Sequence, residues 1–242
     1  MNYKEIIERN DINTAKHFYI PKSNGRRLVI GDIHGCVLSF KALLSKVALT
    51  KRDQLFLVGD YINKGKSSRD VIDTILYLID EDYQIFPLRG NHEEILLDRH
   101  FALPSHLPVL FRAKGLVDED KKILSPYLPF FYHLPYYFEL DNFYIVHGGF
   151  DFQSPDPLNN YSEMAWIRDF EIDTKIVGNK KIIHGHTPEL IMMIKDDIEK
   201  NRQKICIDNG CVYKHKWFLG SLLCLDLDSL LLYEQPNIDN DI

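Results

Sequence analysis

Short apolar runs recur along the chain, each closed by glycine and a polar cluster: "RRLVIGDIHG", "DQLFLVGDYIN", "YQIFPLRGNHE", "NFYIVHGGF", "KKIIHGHTP" and "QKICIDNG". β-Branched and aromatic residues lead these runs and glycine supplies the turn, so each predicts a buried strand feeding a tight loop. Between the first three the spacing becomes helical. "VLSFKALLSKV" sets Leu38, Leu43, Leu44 and Val47 on one side, and "SSRDVIDTILYLIDE" does the same with Val71, Ile72, Ile75, Leu76 and Ile79. Ser67 or Ser68 is placed to cap the second helix. Alternating strands and helices predict an α/β fold with its loops gathered at one end of the sheet.

The block 98–140 breaks this rhythm with prolines and aromatics, as in "LPSHLPVLF" and "SPYLPFFYHLPYYFEL". We read it as an inserted cap or substrate-recognition segment whose aromatics fill core or stack on a base or peptide. No stretch has linker composition, so residues 1–242 are expected to form one domain.

Composition removes several function classes. A net charge of −6 argues against binding to nucleic-acid duplexes, which requires a dense field of Lys and Arg. The first twenty residues are polar and carry acids, unlike a signal or transit peptide. No apolar run approaches the roughly 18 residues of a membrane span. Cys36, Cys206, Cys211 and Cys224 form no C-x-x-C pair, so reduced core thiols and a cytoplasmic protein are expected.

The strand ends carry the candidate chemistry. After the first strand come Asp32 and His34; after the second, Asp60; after the third, Asn91, His92 and Glu93; then His147, and finally His184 and His186. Asp32 and His34 are two apart, and share a side if the strand continues through them. Carboxylates and imidazoles are the donor set for manganese, iron or zinc, and an Asn carbonyl suits a hard or borderline cation.

In this order, "GDIHG", the "GD" of "GDYINKG", "GNHE", "HGG" and "GHTP" resemble the bacterial branch of the metal-dependent phosphoprotein phosphatases. These are calcineurin-like metallophosphoesterases, and the dinucleoside tetraphosphate hydrolases share their motifs. The resemblance covers roughly 28 to 212 and includes the spacing. It implies a β-sandwich flanked by helices, with metal-binding loops at the C-terminal ends of strands. It also implies two divalent ions, with manganese first and iron or zinc as alternatives. Asp32 and His34 would hold the first ion, Asp60 would bridge, and Asn91, His147 and His186 would complete the second. A hydroxide shared by the ions would attack phosphorus. His92 would protonate the leaving group, and Arg89 and Arg168 would clamp phosphate. His184 matches no ligand position and reads as a core histidine.

The family's second motif runs Gly-Asp-x-x-Asp-Arg-Gly, and here its last acid and its arginine are Asn63 and Lys64. Asn63 cannot supply the charge that keeps His92 protonated, although Glu93 or Glu94 could take over. Lys64 keeps a positive charge without the bidentate fork. The expected activity is therefore a phosphatase with a weakened acid side. A phosphorylated protein is the first substrate reading and a dinucleoside polyphosphate the alternative. A low-activity regulatory or binding member is the third.

Overall fold

The protein is described by a computed structural model over residues 16–101, 113 and 115–239. The "LPSHLPVLF" run at 103–111 lies outside the described residues.

Two five-stranded sheets form the frame. The first contains β2 (Arg27–Ile30), β3 (Gln54–Leu57) and β4 (Gln84–Pro87), all parallel. Its other edge is antiparallel, from β9 (Ser221–Asp226) to β10 (Leu232–Pro236). The second sheet runs β1 (His17–Tyr19), β5 (Tyr137–Glu139), β6 (Phe143–Val146), β7 (Lys181–His184) and β8 (Lys204–Cys206). Its β6, β7 and β8 are parallel. All six strands expected from the sequence are present; β1, β5, β9 and β10 are additional.

The inner faces of the sheets meet through Val29, Phe56, Phe86 and Leu225 on one side and Phe138, Ile145, Ile183 and Ile205 on the other. The alternate residues of the first sheet, Leu28, Ile30, Leu55 and Leu57, face outward onto a second cluster. Helices α1 (Val37–Lys46) and α2 (Ser68–Asp80) supply that cluster with Phe40, Leu43, Val71, Ile72 and Ile75. Both faces of β2 and β3 are thus covered, which explains why these strands read as continuous apolar runs rather than alternating ones.

Two local expectations are corrected. Leu38 is 46% exposed, and the buried face of α1 is Val37, Phe40, Leu43 and Val47. That set follows the helical period from residue 37; Leu38 falls one step to the side. Ser67 occupies the N-cap position without a side-chain cap bond, while Ser68 Oγ accepts the Asn63 N–H at 2.9 Å. That serine ties the helix start to the loop carrying Asn63.

Within the aromatic block, α4 (Leu128–Tyr132) follows α3 (Asn91–His100), and Tyr127, Phe130 and Phe131 are buried. Tyr137–Glu139 at its end is strand β5, paired on both sides. All four cysteines are free and buried. Among the described residues no helix is long and apolar enough to cross a membrane.

Candidate active site

The carboxyl ends of β2, β3, β4, β6, β7 and β8 converge, and polar loops leave each of them. This is where parallel strands present side chains to a ligand. β2 stops at Ile30, so Asp32 and His34 are not held in line by a strand. His34 instead has φ +48, and Asp60, Asn63, Lys64 and His186 also lie at positive φ. Such clustering of costly backbone conformations marks a constrained site. Two glycines allow the close approach: a Cβ at Gly90 would meet Asp60 Oδ1 at 2.3 Å, and one at Gly185 would meet Asp32 Oδ1 at 2.2 Å.

Asp60 lies at the centre. Its Oδ2 is 3.4 Å from His34 Nε2 and 3.9 Å from His92 Nε2, while Oδ1 is 3.5 Å from His147 Nε2. One carboxylate therefore turns an oxygen to each half of the site. Asp32 Oδ2 is 4.0 Å from His34 Nε2, and both Asp32 oxygens accept the His186 N–H.

The imidazole protons are fixed by backbone carbonyls. His34 Nδ1 lies 2.9 Å from the Ile62 oxygen, His147 Nδ1 3.0 Å from that of Val58, and His186 Nε2 3.2 Å from that of Trp166. A carbonyl only accepts, so these nitrogens carry the protons. His34 Nε2, His147 Nε2 and His186 Nδ1 then point bare lone pairs inward, the arrangement that prepares histidine for a metal.

Asn91 tests whether a cation fits. Its Oδ1 lies 3.1 Å from His147 Nε2 and His186 Nδ1, and 3.2 Å from both Asp60 oxygens. Every one of these neighbours is a lone pair. Without a cation among them, the amide would gain by turning over to donate. A cation about 2.1 Å from each donor demands donors about 3.0 to 3.4 Å apart, which is close to what is found.

Electrostatics agrees. Burial, with Asp208 and Asp60 nearby, raises Asp32 well above the usual carboxylate range. Burial, with Asp60 adjacent, pushes Glu93 up to about 8. Asp208 is pushed up to about 7 by burial, against the opposing pull of the Gly210 N–H and Lys64. Burial also raises Asp60, but His147, His92, His34 and Lys64 outweigh it and hold that carboxyl well below its ordinary value. So many buried acids cannot all ionise together without a compensating cation. The residues fit two divalent ions.

His92 sits at the edge of this cluster, its ring 4.8 Å from that of His34. Asn63 Nδ2 is 3.0 Å from His92 Nδ1, while Asn63 Oδ1 is buried without a partner. With the amide so placed, Nδ1 accepts and the His92 proton rests on Nε2. Burial also lowers its pKa, with Lys64 adding to that and Asp60 opposing it.

Neither neighbouring glutamate reaches His92. Glu93 accepts the N–H groups of Asp60, Tyr61 and Gly90, locking the Asp60 loop onto the start of α3. Glu94 accepts from Tyr136 Oη and Trp166 Nε1. With their oxygens so engaged, neither glutamate stands at His92 in place of the missing acid.

Among the described residues, neither Arg89 nor Arg168 hydrogen-bonds to the metal-type donors. Arg89 donates to Tyr136 Oη at 3.2 Å and the Tyr132 carbonyl at 2.9 Å, and stacks on the Tyr136 ring. Arg168 is exposed, and its charge helps burial and His147 to lower His186 to about 3. His184 ends β7, buried against Phe170. Asp208 is the buried site residue that the sequence reading passed over. The signal was present, since "CID" repeats the strand-then-acid pattern of Asp32 and Asp60.

Residues 25–216 match the profile of the calcineurin-like phosphoesterases. The bis(5'-nucleosyl)-tetraphosphatase PrpE, asymmetrical, of Anoxybacillus flavithermus is 25% identical over 221 residues, covering 76% of this chain and 85% of its own. A symmetrical bis(5'-nucleosyl)-tetraphosphatase of Wigglesworthia glossinidia brevipalpis is 40% identical over 70 residues, 28% of this chain and 25% of that protein. The chain thus matches most of the first relative and a quarter of the second. A crystal structure given as that of a candidate diadenosine tetraphosphatase superposes with a TM-score of 0.69 at 22% identity, covering 93% of this chain and all (100%) of that one. A serine/threonine phosphatase of Saccharomyces cerevisiae gives 0.67 at 15% identity, covering 98% and 89%. At these identities the two structures share the fold.

Proposed function

Since the chain belongs to the calcineurin-like phosphoesterase family, we propose that it hydrolyses dinucleoside polyphosphates with two divalent ions, manganese first, cleaving a phosphoanhydride bond. Asp32 and His34 would hold one ion, Asn91, His147 and His186 the other, and Asp60 both. When bound, such a pair of ions supplies positive charge at the phosphoryl group and lowers the pKa of a water molecule.

The observation that carries the substrate reading is the contact between Asn63 and His92. Neutral His92 with its proton on Nε2 can orient a leaving oxygen but protonates it poorly. An alkoxide from phosphoserine needs that proton. A nucleotide phosphate, with a second pKa of about 6, leaves without one. The expectation of a phosphoprotein substrate therefore gives way to the nucleotide alternative, which is also what the relatives' names describe.

The rim supports the same choice. Lys216 Nζ lies 4.3 Å from the centre of the Tyr213 ring, and Trp217, next to Lys216 in sequence, is 86% exposed. Ammonium groups suit a polyphosphate and an open indole suits a base.

A panel of diadenosine tetraphosphate, phosphoserine peptide and phosphotyrosine peptide, assayed with manganese, tests this. The dinucleotide should win in kcat/KM by about 100-fold, or about 2.7 kcal/mol. Hydrolysis of a phosphopeptide with the dinucleotide untouched would reverse the assignment.

A further inference from the structure

Two neighbouring departures from the family pattern alter the charge beside the first half-site. Asn63 stands where the pattern has an acid, and Lys64 where it has a guanidinium, so the pair contributes one positive charge instead of none. Lys64 does not lie out along a phosphate path. Its Nζ is 2.6 Å from His34 Nε2, the nitrogen whose lone pair faces Asp60 and Asp32. The Ile62 carbonyl holds the His34 proton on Nδ1, so Nε2 accepts from the ammonium.

A lone pair serves one partner at a time. A divalent ion bound about 2.1 Å from His34 Nε2 would overlap an ammonium 2.6 Å from the same atom. The ammonium also brings to Asp60 and Asp32 the positive charge that buried carboxylates need.

We propose that Lys64 is a tethered cation that occupies the Asp32–His34–Asp60 half-site in competition with a divalent ion. The two metal positions are then unequal. The half-site of Asp60, Asn91, His147 and His186 fills first, and the other fills only as Lys64 withdraws. Lys64 has a flexible four-carbon stem and a strongly hydrated point charge, so a phosphate anion offers it an alternative partner. Phosphate should accordingly strengthen binding of the weaker ion, and that ion should strengthen binding of phosphate.

The proposal rests on the two-ion reading of the site, and a binding experiment separates the two. Metal-stripped protein is titrated with manganese, following free ion by electron paramagnetic resonance. The wild type should take one tight ion and a second about tenfold weaker or more. Lys64→Met keeps a flexible unbranched stem and removes the charge, and should strengthen only the weaker ion, by about tenfold. Inorganic phosphate should tighten the weaker ion in the wild type, a measurement needing no variant, and this gain should shrink in Lys64→Met. Two ions of equal affinity in the wild type, or a weaker ion indifferent to Lys64→Met, would overturn the competition and leave the phosphoesterase reading standing. Absence of any bound ion would remove both.

Discussion

Asp60→Asn is expected to lower kcat/KM for diadenosine tetraphosphate by about 10³-fold at saturating manganese, the scale of losing one preorganised charge-stabilising group. Asp60 turns an oxygen toward each half of the site, Oδ2 to His34 and Oδ1 to His147. An amide keeps one oxygen, puts an NH₂ where the other lay and removes the negative charge. The substitution is mild for the fold. Asn tolerates the left-handed backbone found here at φ +52, and its oxygen still accepts the His92 N–H at 3.1 Å. Metal content after equilibrium dialysis should fall with activity while the unfolding temperature stays within a few degrees. Unchanged turnover would show that no ion depends on this residue.

The second large effect is a gain. Asn63→Asp should raise hydrolysis of an alkyl phosphoester by about 100-fold, the lower end of the usual contribution of general acid catalysis. An aryl phosphate, whose leaving group needs little help, should hardly change. The upper bound is about 10⁴, the loss when a serine-protease aspartate becomes asparagine. In the wild type the Asn63 amide faces His92 Nδ1 and burial depresses the imidazole pKa. A carboxylate there would turn Nδ1 into a donor and favour imidazolium. Raising that pKa keeps the acid protonated to higher pH, so the alkaline limb of the alkyl-substrate profile should shift upward. An unaltered ratio of alkyl to aryl rates would mean that His92 does not act on the leaving group.

Six strand-end residues were legible because each follows an apolar run and begins a polar loop: Asp32, His34, Asp60, Asn91, His147 and His186. Order and spacing located them, and the structure brings their side chains together. Their companions were harder to see. Asp208 follows the same strand-then-acid rule but lies outside the five motifs that carry the resemblance. The engagement of Glu93 by the N–H groups of Asp60 and Tyr61, and of Glu94 by Tyr136 and Trp166, depends on elements distant in sequence. No periodicity encodes such contacts.

The missed strands have local reasons as well. β1 and β5 are three residues each, and β10 is half-buried with mixed polarity. β9 is buried throughout but is not followed by the glycine-rich loop that betrayed the others. Lys64 shows the limit most clearly. Its charge and position were evident from the sequence, but not the choice of His34 over phosphate as partner, which only geometry reveals.

The centre itself is tested most directly by anomalous diffraction at the manganese edge, on crystals grown with saturating manganese and phosphate. Two peaks about 3.5–4 Å apart should straddle Asp60, one beside Asn91, His147 and His186 and the other beside Asp32 and His34. Peaks elsewhere, or none touching the Asp60 carboxylate, would contradict the account.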